Sequence, residues 1–97
     1  MTRKLFIRPR AERDIQTIYA WYESQEPGLA KEFFNSLRMR LEAIRDFPES
    51  CQIIYRDVRR AVVSRFPYVV FYVVQPTRVI VLAVLDQSGN PAKWPRR

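Results

Sequence analysis

The sequence predicts an α+β fold in which a hairpin of two helices packs on a small antiparallel sheet, in the order β-α-α-β-β-β. Two observations lead to this fold class. Apolar residues recur at helical spacing through residues 9–46, and three runs rich in β-branched and aromatic residues fill residues 58–86 between turn signals. Helices followed by a series of strands are typical of an antiparallel sheet covered on one face by helices.

The first two predicted elements are a short strand and a helix. Residues 5–7 are apolar between basic residues, which favours a strand. Pro9 suits the first turn of a helix because its missing N–H would have no partner there. We expect one stripe of this helix to face the core, and it consists of Ala11, Ile15, Ile18, Tyr19 and Tyr22.

A second helix is predicted after the turn-forming residues 24–28. Pro48 disfavours the helical region for Phe47, so this helix should end near Asp46. Residues 49–57 then connect the helical hairpin to the sheet. The apolar stripe of the second helix consists of Ala30, Phe33, Phe34, Leu37, Leu41 and Ile44.

Three strands are predicted to follow as a meander. The first runs from residue 58 to near Arg65, and the turn Phe66-Pro67-Tyr68 separates it from the second at residues 69–74. Gln-Pro-Thr-Arg at residues 75–78 suits a type I turn before the last strand, residues 79–85. The last two runs are almost continuously apolar. We therefore expect both faces of the sheet to be covered, one by the helices and one by the C-terminal tail or a partner.

Length and composition limit the classes of function that are possible. The 97 residues predict one domain, residues 1–97, and 17 Lys and Arg against 10 Asp and Glu give a net charge of +7 that favours an anionic partner. One cysteine and no histidine argue against a disulfide framework and the usual zinc sites, so we expect no metal and no cofactor. The N-terminal apolar run is short for a signal peptide and no run approaches the ~20 residues of a membrane span, so the expected location is the cytoplasm.

Basic residues around and after the predicted strands could bind a partner. In a strand, Arg59 and Arg65 would share one face while Arg60 would point to the other, so the three line one surface only if the strand bulges. From spacing alone, a solvated strand edge that blocks unwanted pairing is the stronger interpretation. The full basic set is Arg59, Arg60, Arg65, Arg78, Lys93, Arg96 and Arg97, with Trp94 inside its last part.

Groups suited to acid–base chemistry are few. Without histidine, catalysis near neutral pH needs a carboxylate, Lys, Tyr or Cys with a shifted pKa. Cys51 has no histidine to activate it, so a small, half-buried apolar residue is a better interpretation than a nucleophile. The remaining candidates near the sheet are Glu49, Asp57, Asp86, Tyr55 and Tyr68.

Motifs spread along nearly the whole chain point to a known family. They are Arg-Ala-Glu-Arg-Asp-Ile at residues 10–15, Ile-Tyr-Ala-Trp-Tyr at 18–22, Ala30 with Phe33, Leu37 and Leu41, Phe47-Pro48, Val58-Arg59-Arg60, Arg65-Phe66-Pro67-Tyr68, and Phe71-Tyr72. Together they resemble the ParE-type branch of the RelE/ParE superfamily, the toxins of type II toxin-antitoxin pairs. The resemblance implies a β-α-α-β-β-β fold, a cytoplasmic toxin that halts growth, and neutralisation by a cognate acidic antitoxin.

The superfamily implies two activities: ribosome-dependent mRNA cleavage, and inhibition of DNA gyrase by binding without hydrolysis. Ribonuclease members commonly carry an arginine after the turn that enters the third strand, where this chain has Val69, and many carry histidine after the last strand, where it has Asp86. A carboxylate beside RNA phosphate repels the substrate. The comparison favours the gyrase inhibitor, with target- or antitoxin-binding residues Arg59, Arg60, Arg65, Lys93, Trp94, Arg96 and Arg97.

Two alternatives stay open. A metal-independent mRNA endoribonuclease would assemble its site from Arg60, Arg65 and Asp86. A basic nucleic-acid-binding domain would also explain the charge, and its affinity would fall steeply with salt.

Overall fold

The computed structural model describes residues 3–88, which form two helices, a short 3₁₀ turn and a five-stranded sheet. This confirms the predicted α+β class, the start of the first helix at Pro9 and the end of the second at Asp46. Neither helix of this part of the chain is long and apolar enough to cross a bilayer. The elements are β1 Lys4–Ile7, α1 Pro9–Gln25, α2 Leu29–Asp46, the 3₁₀ turn Pro48–Ser50, β2 Ile53–Tyr55, β3 Val58–Val62, β4 Tyr68–Val74 and β5 Arg78–Asp86.

The strand order in the sheet is β1-β5-β4-β3-β2. Strands β3, β4 and β5 form the predicted antiparallel meander. Two features differ from the prediction. Strand β2 lies in the segment expected to be a plain connection, and β1 pairs with β5 in parallel, so the sheet is mixed. The direction of β1 depends on how the helical hairpin returns the chain to the sheet, which local periodicity does not encode.

The turn between the helices depends on Gly28. Its φ of 92° lies in the left-handed region, which glycine adopts without the steric cost that a Cβ would add. Its N–H donates to Oε1 of Glu23 at 3.3 Å, and the N–H of Leu29 donates to the carbonyl of Glu26 at 3.1 Å. These contacts let α2 start immediately after α1 and fold back beside it.

The helical hairpin covers one face of the sheet, here called the inner face. Ile15 and Leu41 are partly buried against its core, so most of the two predicted helical stripes is confirmed. The prediction is wrong for Tyr19 and Phe34, which are 41% and 45% exposed and pack against each other outside the core. The burial of the apolar side chains in this core is the main favourable contribution to folding. The inner cluster contains Ala11, Ile18, Tyr22, Ala30, Phe33, Leu37 and Ile44 from the helices, and Ala61, Val63, Val70, Tyr72, Val79, Val81 and Val84 from the sheet and the residue that follows β3.

The opposite, outer face carries a second buried apolar cluster. The register shifts between Phe71 and Tyr72, and as a result both Leu82 and Ala83 join this cluster. The tail expected to cover this face includes residues 89–97, which lie outside the described part of the chain. The outer cluster consists of Val58, Val69, Phe71, Val73, Ile80, Leu82 and Ala83.

Candidate binding surface around strand β3 and the β3–β4 loop

Arg59 points to the inner side of β3, where it lies opposite Tyr72 in the register. Its Nη1 donates to the carbonyl oxygens of Cys51 at 2.6 Å and Glu49 at 3.3 Å. Both carbonyls belong to the segment between α2 and β2. Arg59 therefore ties that segment to the sheet, and its guanidinium is less available to a partner than the sequence suggests.

Tyr72 also connects the sheet to the segment between α2 and β2. Its buried hydroxyl donates to the carbonyl of Pro48 at 2.7 Å. Burial, followed by the neighbouring Cys51, raises the pKa of Tyr72 far above its ordinary range, while the Arg59 and Arg40 cations oppose this shift. Cys51 itself is half-buried and packs against the inner cluster, which confirms the interpretation of this thiol as a small apolar residue.

Arg60 points to the outer face, opposite Phe71. This confirms that Arg59 and Arg60 lie on different faces of β3. Arg60 is half-buried, and no carboxylate or hydrogen-bond acceptor within residues 3–88 engages its guanidinium. It is the arginine of β3 that remains able to contact another molecule.

Arg65 does not belong to a strand, so the expectation that it shares a strand face with Arg59 is wrong. Strand β3 ends at Val62, and the N–H of Val63 donates to the carbonyl of Tyr68 at 2.9 Å, which closes the β3–β4 loop over residues 64–67. Arg65 has a φ of 69°, in the left-handed region that a non-glycine residue rarely adopts. Strand β3 ends three residues before the predicted end near Arg65, and the left-handed backbone of Arg65 cannot continue an extended strand.

Aromatic packing holds the β3–β4 loop against both helices. The ring of Phe66 lies 5.3 Å from Tyr22 on α1 and 5.5 Å from Phe33 on α2, both edge to face. Tyr68 lies 5.6 Å from Phe33 in a similar arrangement. Each such pair contributes about 0.5–1.5 kcal/mol beyond the burial of its area. These contacts fix the loop backbone at Phe66, and at the neighbouring Arg65, relative to the two helices.

A groove of about 410 Å³ lies between α2 and this loop. Arg40 enters it from α2, and its Nε donates to the carbonyl of Val62 at 2.8 Å. Within the described residues, neither Arg40 nor Arg65 has a carboxylate partner. We call this the Arg40–Arg65 groove, and its lining residues are Ser36, Met39, Arg40, Ala43, Ser64 and Arg65.

Sequence reasoning missed two polar residues that position these elements. Arg40 lies at helical spacing between Leu37 and Ile44, and a charge interrupting an apolar stripe was the available signal. The Oδ2 of Asp14 on α1 accepts the backbone N–H of Val84 at 3.0 Å. No local sequence signal indicates that second contact, because it joins residues 70 positions apart.

Asp86 lies at the end of β5, opposite Tyr68. Its Oδ1 accepts the hydroxyl of Ser88 at 2.6 Å and the Ser88 N–H at 2.8 Å, and these bonds lower the pKa of the carboxyl. Arg60 on the outer face and Arg65 beside α2 lie on opposite sides of the sheet. The structure therefore does not bring together the two arginines required by the ribonuclease alternative.

The other acid–base candidates show no catalytic grouping. Glu49 is exposed and lies 3.9 Å from Arg3, and Tyr55 accepts a hydrogen bond from Nε of Arg56 at 3.1 Å. Burial, followed by the charge of Asp86, raises the pKa of Tyr68. Across residues 3–88, no cluster of His, Cys, Asp or Glu could hold a metal ion. The predicted binding residues that lie outside the described part are Lys93, Trp94, Arg96 and Arg97.

Comparison with known proteins identifies the family. The family model described as the ParE toxin of type II toxin-antitoxin system, parDE, matches residues 5–91. A solved structure of the chromosomal ParDE TA system from P. aeruginosa has the same fold, with a TM-score of 0.78 and 16% identity over 88% of this chain and 96% of that one. No curated protein matches the chain. Because the family model spans most of the sequence, the chain belongs to the ParE family of toxins of type II toxin-antitoxin systems.

Proposed function

We propose that this ParE-type toxin halts growth by binding DNA gyrase without cleaving RNA, and that a cognate acidic antitoxin neutralises it in the cytoplasm. The observation that carries the choice of target is Val69. Ribonuclease members of the superfamily commonly place a phosphate-clamping arginine at this position. Here it is a valine that is 1% exposed, paired with Leu85 and packed in the outer cluster.

The surroundings of Val69 are as apolar as the residue itself. Phe71 and Val73 follow it on the same face of β4, and both are buried. A guanidinium placed among them would lose its hydration without gaining a counterion, which is costly. Position 69 therefore offers no cation to a scissile phosphate.

The chemistry of Asp86 supports the same choice. A leaving-group acid must hold a proton near neutral pH, which in a carboxyl requires a raised pKa. The hydrogen bonds from Ser88 lower the pKa of Asp86, so its carboxylate is ionised and repels an RNA backbone. The sequence has no histidine that could act in its place.

Binding to a protein target requires a complementary surface and no catalytic residue. Arg60 and Arg65 present guanidinium groups without carboxylate partners among the described residues. Arginine and tryptophan are frequent interface anchors, so the predicted tail residues Trp94, Arg96 and Arg97 fit the same role, and Lys93 adds a further positive charge. We assign gyrase binding to these residues as part of the proposal.

The surface also supports a protein antitoxin. The net charge of +7 favours an acidic partner. On the helical hairpin, Tyr19 and Phe34 are 41% and 45% exposed, with ring centroids 6.4 Å apart. They line an open groove with Ile15 and Gln16. Exposed apolar patches of this kind mark interaction sites.

Two assays on the purified toxin test the choice of target. DNA supercoiling by gyrase should fall as toxin is added, and mRNA in a translation extract should stay intact. Arg60→Gln should weaken the inhibition because the target loses a charged anchor. Arg13→Gln removes the same charge from an exposed position of α1 and should leave inhibition unchanged.

Codon-phased mRNA cuts that disappear in Arg65→Ala, together with unaffected supercoiling, would replace the gyrase proposal with the ribonuclease. A salt series of DNA and RNA binding separates the remaining alternative. A nucleic-acid-binding domain would lose affinity steeply with salt and would show neither inhibition nor cleavage.

A further inference from the structure

The Arg40–Arg65 groove carries two positive charges in a fixed arrangement. Arg40 is held in position by the hydrogen bond from its Nε to the carbonyl of Val62, and no acceptor among residues 3–88 engages its Nη atoms. Ser36 and Ser64 line the same groove and add hydroxyl groups. A site with two guanidinium groups and hydroxyl donors favours an oxyanion.

The backbone of Arg65 is held in a conformation that arginine does not prefer. Residues other than glycine rarely adopt the left-handed region, because the Cβ crowds the following carbonyl oxygen. Phe66 secures the following position through its packing on Tyr22 and Phe33. The loop therefore fixes the direction in which the Arg65 side chain leaves the backbone.

The rest of the groove decides which kind of anion fits. Met39 is 66% exposed and lies beside Ala43, so one wall is apolar. The repeated charges of a nucleic-acid backbone match the two arginines but not the apolar wall. A peptide can bring one carboxylate and one apolar side chain.

We propose that the Arg40–Arg65 groove binds a segment of the antitoxin in which an aspartate or glutamate lies beside an apolar side chain. The carboxylate pairs with Arg40 and Arg65, and the apolar side chain packs on Met39 and Ala43. This inference rests on the proposed neutralisation by an acidic antitoxin and adds where and how the contact is made.

The test measures the affinity of the toxin for the antitoxin encoded beside it, by titration calorimetry at two salt concentrations. Arg65→Asn removes the charge, and asparagine tolerates the left-handed backbone, so the loop is retained. We expect roughly 10- to 100-fold weaker binding, the range for one charge-assisted hydrogen bond. Met39→Ala should also weaken binding, and its folded stability should stay unchanged because the side chain is exposed.

Arg13→Gln is the matched control, because it removes one exposed positive charge far along the chain from the groove. Equal affinities for wild type, Arg65→Asn and Arg13→Gln would overturn the inference. An equal loss in both variants would also overturn it, since overall charge would then explain the effect. Thermal melts of each variant show that the fold is retained.

Two further outcomes separate a failure of the groove assignment from a failure of the proposed neutralisation. If wild-type toxin does not bind the antitoxin, the proposed neutralisation fails and the groove assignment fails with it. If the antitoxin binds every variant equally while Arg65→Asn reduces affinity for a DNA or RNA duplex, neutralisation stands and the groove is a nucleic-acid site. Loss confined to the antitoxin titration, in Arg65→Asn and Met39→Ala together, supports the inference.

Discussion

The two faces of the central sheet are both apolar and buried, but they are held in different ways. On the inner face, directional bonds join the sheet to its surroundings: Tyr72 to Pro48, Asp14 to Val84 and Arg40 to Val62. The outer cluster consists of aliphatic side chains and Phe71, with no polar side-chain atom. Within residues 3–88, side-chain hydrogen bonds fix the position of the helices on the inner face, whereas the outer cluster makes no such bonds.

The difference follows from the nature of the two forces. Burial of apolar area is non-directional, so it favours any arrangement that removes the surface from water. A buried hydrogen bond has a strict geometry and penalises arrangements that leave it unmade. The helical hairpin is therefore oriented by a few polar contacts on top of a large apolar contact.

The largest effects are expected from matched truncations on the two faces. Leu37→Ala should lower the free energy of unfolding by about 3–5 kcal/mol, because Leu37 is fully buried between the helices and the sheet. Leu82→Ala on the outer face should cost less, about 2–3 kcal/mol. No hydrogen bond holds the outer cluster in place, so its side chains can relax into the cavity that the substitution leaves. Urea titrations measure both values. Equal costs would show that the two faces are equally rigid.

The next effect concerns the buried hydroxyl of Tyr72. Tyr72→Phe leaves the carbonyl of Pro48 without its donor and should cost about 1–3 kcal/mol. Tyr19→Phe serves as the control, because Tyr19 is 41% exposed and no hydrogen bond engages its hydroxyl in the described part of the chain. The same urea titration compares the two. A cost below about half a kcal/mol for Tyr72→Phe would contradict a role for this bond in holding the inner face.

The contact between α1 and β5 should contribute somewhat less. Asp14→Ala removes the acceptor of the Val84 N–H and should cost about 1–2 kcal/mol, with faster hydrogen exchange at Val84. Asp14→Asn keeps an oxygen in place and should recover most of the loss. If exchange at Val84 is the same in all three proteins, the bond does not protect that edge of β5.

The smallest effect depends on pH. Burial raises the pKa of Tyr72, so the folded state binds the phenolic proton more tightly than the unfolded chain, whose phenol has a pKa of about 10. The resulting stability is complete below that value and is lost as the pH rises through the folded pKa. From pH 8 to pH 11 the free energy of unfolding should fall by about 1 kcal/mol on this account. Tyr72→Phe should show a correspondingly shallower fall, and an identical slope in both proteins would count against it.

Local sequence patterns determined the helices and the meander. The stripes of α1 and α2 have the 3.6-residue period, Pro9 and Pro48 restrict the backbone at their ends, and β-branched runs mark β4 and β5. The opposite faces of Arg59 and Arg60 followed from the two-residue period of a strand. These features depend on near neighbours in the chain, so the sequence contains their signal.

The tertiary structure alone decided the rest. The parallel pairing of β1 with β5, the short strand β2 and the loop conformation of Arg65 depend on contacts between distant segments. The Arg40–Arg65 groove exists because Phe66 packs on both helices and carries the loop to α2. Residue types and spacings indicated the family and its basic character. The tertiary structure decides which arginines stabilise the fold and which face a partner. Hydrogen bonds inside the fold, such as those of Arg59, make some of these guanidinium groups unavailable at the surface.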